Sequence, residues 1–378
     1  MNTPTATRLQ TADANVTVLS NTAFVTEWAR RYFGSWWTAF DVPANSVCTG
    51  PLVTADLDEK AYTDLAALVR SCPHDEVTYA KAQLLLAQDS TGAITGVSPE
   101  EGLAYRSEQL ASHVTLSGRT VQPLALAAAR IAREMIRASL LRDGWTLLHA
   151  SAVVRDDRAL LAFGSKGAGK TTTALLLAHR GTQLLANDRV FVKVVGDELR
   201  VLPWPSAAAI GLGLLDALGL YDVVRDRLQA GEQLHPTQHQ DVTDALLAGR
   251  REPLWEPGGK REMKVQVFPD QFATWFGMEL ATSGHAAALL FPRIDPASSI
   301  PAVVDGDRTL GEDDFMSGST EDRYPDHFGL AHDINGGGSD AARASVADRL
   351  ATLPHHQVVL SYDTQANADF LAKLAADL

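Results

Sequence analysis

The sequence predicts an α/β protein in two parts, a smaller α+β part over residues 1–143 and a larger part over 144–378. Three observations predict it. Gly164-Ser165-Lys166-Gly167-Ala168-Gly169-Lys170-Thr171 fits the phosphate-loop pattern G-x-x-x-x-G-K-[ST] at every fixed position. Arg158 to Phe163 before it reads as a short buried strand and Lys170 to Arg180 after it as a helix without a breaker, so the loop joins strand to helix as phosphate binding requires. The chain then closes on a helix (Ala341 to Leu353), a strand (Gln357 to Tyr362) and a helix (Thr364 to Leu378), the alternation of an α/β layer.

Length and composition set the bounds. The chain has 378 residues, 46% hydrophobic and 21% charged, which suits a folded protein with room for two domains. A formal net charge of −13 disfavours wholesale binding to DNA or RNA, yet is compatible with a local basic pocket around a nucleotide's phosphates. Two cysteines, Cys48 and Cys72, are too few for a disulfide framework or a zinc site, and the first residues lack a charged-then-apolar leader. A cytoplasmic protein is therefore expected. No run approaches the roughly 18 apolar residues of a membrane span, so no membrane partner is expected, and an oligomer is possible.

Residues 1–20 are polar, with one strand expected at Asn15 to Leu19, and the first helix is Asn21 to Phe33. The aromatic cluster Tyr32-Phe33-Gly34-Ser35-Trp36-Trp37 is expected in the core, since Trp and Phe bury large areas. Glu59 to Arg70 reads as a helix, and Leu84 to Ala87 as a strand before the turn Asp89-Ser90-Thr91-Gly92. A long helix is expected over Pro123 to Arg142, with Leu124, Ala127, Ile131, Met135, Ala138 and Leu141 along one face. Arg130, Arg133 and Arg137 occupy another face, expected to be solvated. Gly144 ends this helix, and nothing before it forms a catalytic constellation.

Leu147 to Val154 reads as one strand and Arg155 to Arg158 as a turn, so a hairpin brings His149 back toward the phosphate end of the next strand. In the loop, glycines without a Cβ let backbone N–H groups turn inward around phosphate oxygens, and the following helix adds the positive end of its dipole. The nucleotide-binding residues are therefore Gly164, Ser165, Lys166, Gly167, Ala168, Gly169, Lys170, Thr171 and Thr172. Lys170 brings a charge to the outer phosphates, and the Thr171 hydroxyl can ligate Mg²⁺. The apolar run Gln183 to Ala186 ends in Asn187-Asp188-Arg189 soon after the helix, an early position for an acidic metal ligand.

Farther on, Val190 to Val195 and Glu198 to Leu202 flank a Gly196-Asp197 turn, and Pro203-Trp204-Pro205 marks a crossover. Trp255 to Val267 places Lys260 and Arg261 after a Pro-Gly-Gly turn, at the mouth of a strand, as candidate cations for the nucleotide. Ala287 to Phe291 reads as a buried strand with Arg293 just beyond it. Asp305 to Asp340 is acidic and glycine-rich, as expected of a loop or lid.

His149, the loop, the helix ending in His179-Arg180-Gly181 and the stretch Leu184 to Val192 together resemble the HPr kinase/phosphorylase family and its distant relatives, the ATP-dependent phosphoenolpyruvate carboxykinases. The resemblance implies an HPr kinase-like phosphate-loop domain with a mixed sheet, preceded by the smaller α+β domain. It also implies an ATP- and Mg²⁺-dependent kinase in which Thr171 and Asp188 hold the metal. His149, Lys170, Asp188 and Asn187 are the implied catalytic positions. The sequence departs from the family where the first of two paired aspartates is Asn187, and it lacks the family's later E-[IV]-R-G stretch, so HPr is not the expected acceptor. A hydroxyl on a small metabolite or on a peptide serine is expected instead. The alternative is a nucleotide-binding switch or ATPase acting through a protein partner, which the missing carboxylate at Asn187 favours.

Overall fold

The computed structural model describes residues 3–46, 50–108, 112–306, 308–316, 325–331, 334 and 336–376. Cys48, Glu321-Asp322 and other parts of the acidic stretch expected to form a lid lie outside the described residues. The chain parts into two compact units, Met1–Thr146 with Met316–Ala342, and Leu147–Phe315 with Arg343–Leu378. Met316–Ala342, assigned to the second part from the sequence, thus counts with the first.

In the first unit, strands β1 (Thr5–Thr11), β2 (Ala14–Ser20), β3 (Thr38–Val42), β4 (Leu52–Leu57), β5 (Asp75–Tyr79), β6 (Ala82–Gln88), β7 (Ile94–Ser98), β8 (Leu103–Ser107) and β9 (His113–Gly118) form a mixed sheet. Their order is β3-β1-β2-β4-β9-β8-β7-β6-β5. The opening residues form two strands rather than the single one expected, because Thr5 to Thr11 is largely polar and gains its register from its neighbours β2 and β3. Helices α1 (Ala23–Phe33) and α3 (Val121–Arg142) pack on one another and on β2, and α2 (Glu59–Ser71) packs on β7 and β8. The aromatic cluster is core: Trp36 and Trp37 are buried and Phe33 stacks on Trp37 at 5.1 Å between centroids. The arginine face of α3 is not solvated. Arg133 and Arg137 are each 7% exposed, and Arg137 Nε stands 2.6 Å from Glu134 Oε2 while its Nη1 donates to Gly336 O. A helix buried on nearly every side carries charge only where a partner neutralises it, and Glu134 does so one turn away.

The second unit opens with β10 (Thr146–Leu148), β11 (Ser151–Arg155), β12 (Arg158–Ala162), α4 (Lys170–His179), β13 (Gln183–Ala186), β14 (Val190–Val195) and β15 (Glu198–Pro203). A small layer follows: β16 (Ala208–Ile210), α5 (Leu212–Ala217), α6 (Tyr221–Gln229), α7 (Gln240–Leu247), β17 (Leu254–Trp255), β18 (Glu262–Met263), β19 (Val265–Val267) and α8 (Pro269–Thr274). The long strand β20 (Gly284–Ile294), β21 (Ala302–Val304), α9 (Asp340–Leu350), β22 (His355–Leu360) and α10 (Thr364–Ala376) complete it. The sheet runs β10-β14-β15-β20-β12-β11-β13, with β22 also on β20 and β21 on β22. It is mixed: β12, β20 and β22 are parallel, while β11, β15 and β21 run against their neighbours.

The expected strand Leu147 to Val154 is broken at His149-Ala150, and its halves, β10 and β11, lie at different places in the sheet. The break is imposed from outside the segment, because Leu148 bridges Phe315 and His149 N donates to Asp314 O at 2.8 Å. The sheet must also curl. Laid flat, the five spacings between β14 and β13 would separate them by about 24 Å at about 4.8 Å each. Yet Asn187-Asp188-Arg189, which joins β13 to β14, spans at most about 14 Å. Curling is what brings the end of β10, and His149 with it, to the end of β13. The buried cluster of Leu148, Ala152, Leu161, Phe163, Leu185, Val190, Leu289 and Phe291 fills the curl.

Candidate functional site

The loop leaves β12 at the carboxyl edge of the parallel strands, where Phe163 N donates to Leu290 O at 2.8 Å. Gly164 has φ +150, and a Cβ there would lie 2.8 Å from the Ala168 Cβ; Gly169, the N-cap of α4, has φ +106 and lies against Ile294 and Leu360. Any larger residue at either place would close the cradle or strain it. Between them Ser165, Lys166 and Gly167 are exposed. Lys170 is 7% exposed, and its Nζ donates to Gly164 O at 2.5 Å and Ser165 O at 3.5 Å, folded over the loop that an outer phosphate would occupy. Ser151, buried on β11, donates to Lys170 O at 2.7 Å and fixes the first turn of α4 to the sheet.

Opposite the loop stands the end of β13. Thr171 Oγ1 donates to Asn187 O at 3.3 Å, and His149 Nε2 lies 3.3 Å from Asp188 Oδ1. Arg189 Nε is 3.6 Å from the other Asp188 oxygen. Burial pushes the Asp188 carboxyl up, but the His149 hydrogen bond and the charges of Arg189, His149 and Lys170 outweigh it and hold the group at about 2, below its ordinary 3.8. Burial is the largest single influence on Asp188, but the His149 hydrogen bond and the neighbouring charges act together against it and set the direction. A carboxyl with a lowered folded value contributes stability that is full above the unfolded value and lost as pH falls through about 2. Asp188 should therefore stay ionised over about pH 5 to 9. Carbon NMR of its labelled carboxyl should show no titration there, and a midpoint inside that window would refute this account of its surroundings.

Asn187 is 6% exposed, and its Oδ1 is buried with no hydrogen-bond partner among the described residues. Those residues contain no cluster of three or more His, Cys, Asp or Glu side chains that could cage a metal. Mg²⁺ is commonly bound through one or two oxygen ligands plus substrate phosphates, and the Thr171 hydroxyl with the Asp188 carboxylate, one residue from the carbonyl that Thr171 meets, is a donor set of that kind.

The structure thus brings together Gly164 to Thr172, His149, Asn187 and Asp188. Lys260 and Arg261 lie in the turn of the β17–β18 hairpin, where Arg261 Nη1 is 3.8 Å from Glu256 Oε1. Arg293 lies in β20 itself, 66% exposed, 3.3 Å from Asp295. Sequence reasoning missed Asp314 and Arg308. Asp314 is 3% exposed; its carboxylate accepts from Arg308 Nη2 at 2.8 and 2.9 Å and from Gly311 N, while its carbonyl holds His149 N. Arg308 also lies over the Phe291 ring. A buried acid inside an acidic, glycine-rich stretch has no pattern of its own in the sequence.

No protein-family model matches the chain, and no curated protein matches it. Among solved structures, it is similar to the HPr(Ser) kinase/phosphatase from Coxiella burnetii at 15% identity, over 42% of this chain and 70% of that one, with a TM-score of 0.21. That likeness is too slight to argue from. No helix among the described residues is long and apolar enough to cross a membrane.

Proposed function

We propose that the second unit is an HPr kinase-like phosphate-loop domain that transfers the γ-phosphoryl group of ATP to a hydroxyl acceptor, a small metabolite or a peptide serine. The observation that carries this reading is the facing of two halves of a site. The loop and Lys170 stand on one side and the His149–Asp188 pair on the other, tied by Thr171 to Asn187 at 3.3 Å. The acceptor oxygen forms a bond to the γ-phosphorus as the bond to the bridging β,γ-oxygen breaks, ADP leaves, and the hydroxyl proton passes to the His149–Asp188 pair. At about 2, Asp188 is too weak a base to keep a proton at neutral pH, and the His149 imidazole, 3.3 Å from it, is the proposed acceptor of the proton. Lys170 and the backbone N–H groups of the loop stabilise the charge spread over the moving group. Thr171 and Asp188 would hold Mg²⁺, which supplies charge neutralisation between the phosphates.

The test is to incubate the protein with γ-labelled MgATP, a panel of hydroxylated metabolites and serine-containing peptides. Label on an acceptor is the expected result. Label released only as inorganic phosphate would replace this reading with the ATPase or switch alternative, which the amide at Asn187 favours. Label that stays on ATP throughout would sink both.

A further inference from the structure

The exit of β22 carries the most exposed aromatic side chain among the described residues, Tyr362, 73% exposed. Single exposed aromatics are ordinary on protein surfaces. Two features set this one apart. The first is place: Leu360, two residues earlier, lies against Gly169 at the end of the phosphate cradle, together with its register partner Ile294. Tyr362 follows two residues after that contact, in the bend that joins β22 to α10.

The second feature is rigidity. Ser361 is 4% exposed and Asn367 equally so; Ser361 N donates to Asn367 Oδ1 at 3.0 Å, and Asn367 Nδ2 donates back to Ser361 O at 2.8 Å. Asp363 N donates to Ser361 Oγ, the Asp363 carboxylate caps α10 by accepting from Ala366 N at 3.0 Å, and Asn367 N donates to Asp363 O. The backbone on both sides of Tyr362 is therefore fixed while its ring is left to solvent. A ring fixed in this way loses only the freedom of two side-chain torsions when a flat ligand covers it. A side chain serving the core would be covered by the protein itself.

We infer that Tyr362 is the platform on which the base of the bound nucleotide stacks, an inference that rests on the nucleotide reading above. Stacking uses the face of the ring and requires no hydrogen-bond code, so it favours the broad face of a purine over a pyrimidine. The ligand class is thus a purine nucleoside triphosphate. Its phosphates lie on the loop and its base on the turn between β22 and α10.

The experiment measures binding of MgATP and of magnesium tripolyphosphate, which has the phosphates without the base, to the full-length protein and to Tyr362→Ala and Tyr362→Phe. Tyr362→Ala should weaken MgATP about tenfold, in the range that base–aromatic stacks supply. Tripolyphosphate binding should stay within about twofold, and Tyr362→Phe should restore MgATP affinity, because the hydroxyl is not part of the stack. Equal weakening of ATP and tripolyphosphate by Tyr362→Ala would overturn the inference alone, since the turn would then only support the cradle. Unchanged ATP affinity would overturn it as well. A wild-type protein that binds neither ligand would overturn the nucleotide reading and this inference with it.

Discussion

Lys170→Ala should lower the transfer rate about 10³-fold, about 4 kcal/mol of transition-state stabilisation, while the protein stays folded. The side chain is 7% exposed and caps two carbonyls of its own loop. Its removal therefore has two effects, and their sizes separate them. Two carbonyls at an open loop lose one partner and gain water, a cost of about 1 kcal/mol. The charge, by contrast, meets a phosphoryl group whose negative charge grows in the transition state, in a site partly shielded from water. A modest loss of stability with a severe loss of rate is the expected pair of results. Circular dichroism and urea unfolding check the first, and steady-state rates at saturating Mg²⁺ check the second. A folded Lys170→Ala protein that still transfers phosphate would remove this loop from the reaction.

The loop was legible because its chemistry is local. Eight consecutive residues carry the glycines, the lysine and the hydroxyl, and the strand and helix on either side are each a single unbroken apolar run. The β11–β12 hairpin was equally local, and Ser151 does pair with Ala162 beside the loop. The place of His149 near the phosphate end was legible from that hairpin, and its catalytic role only by resemblance. Its surroundings depend on contacts that no window of sequence contains: the apolar run from Leu147 to Val154 continues through the break, which is made by Asp314 and Phe315 far along the chain. The same is true of the arginines of α3, because spacing assigns a face but not what covers it, and α3 is buried on the arginine side too. Tyr362 was read simply as the last residue of a strand. Its interest comes from what Leu360 touches and from the Asn367 lock, both products of the tertiary fold.

Asp188→Asn should cost most of the activity, about 10²- to 10³-fold, whereas Asn187→Ala should cost about tenfold or less. The two residues are neighbours but differ in what their side chains meet. The Asp188 carboxylate faces His149 at 3.3 Å and Arg189 at 3.6 Å, is ionised at any working pH, and is the only acidic oxygen donor of the proposed metal pair. An amide there keeps the shape but loses the charge that aligns both the imidazole and a divalent cation. Asn187 contributes to the site through its backbone, since the carbonyl that accepts from Thr171 Oγ1 survives in alanine. Its side-chain Oδ1 is buried without a partner among the described residues, so truncation relieves about 1–3 kcal/mol of desolvation against the loss of packing. Steady-state rates for both variants at saturating Mg²⁺ decide between them. A larger loss in Asn187→Ala would mean that the amide positions the acceptor and that the division between backbone and side chain is wrong. If both variants keep full rate while Lys170→Ala does not, the side chains at the end of β13 take no part in the reaction.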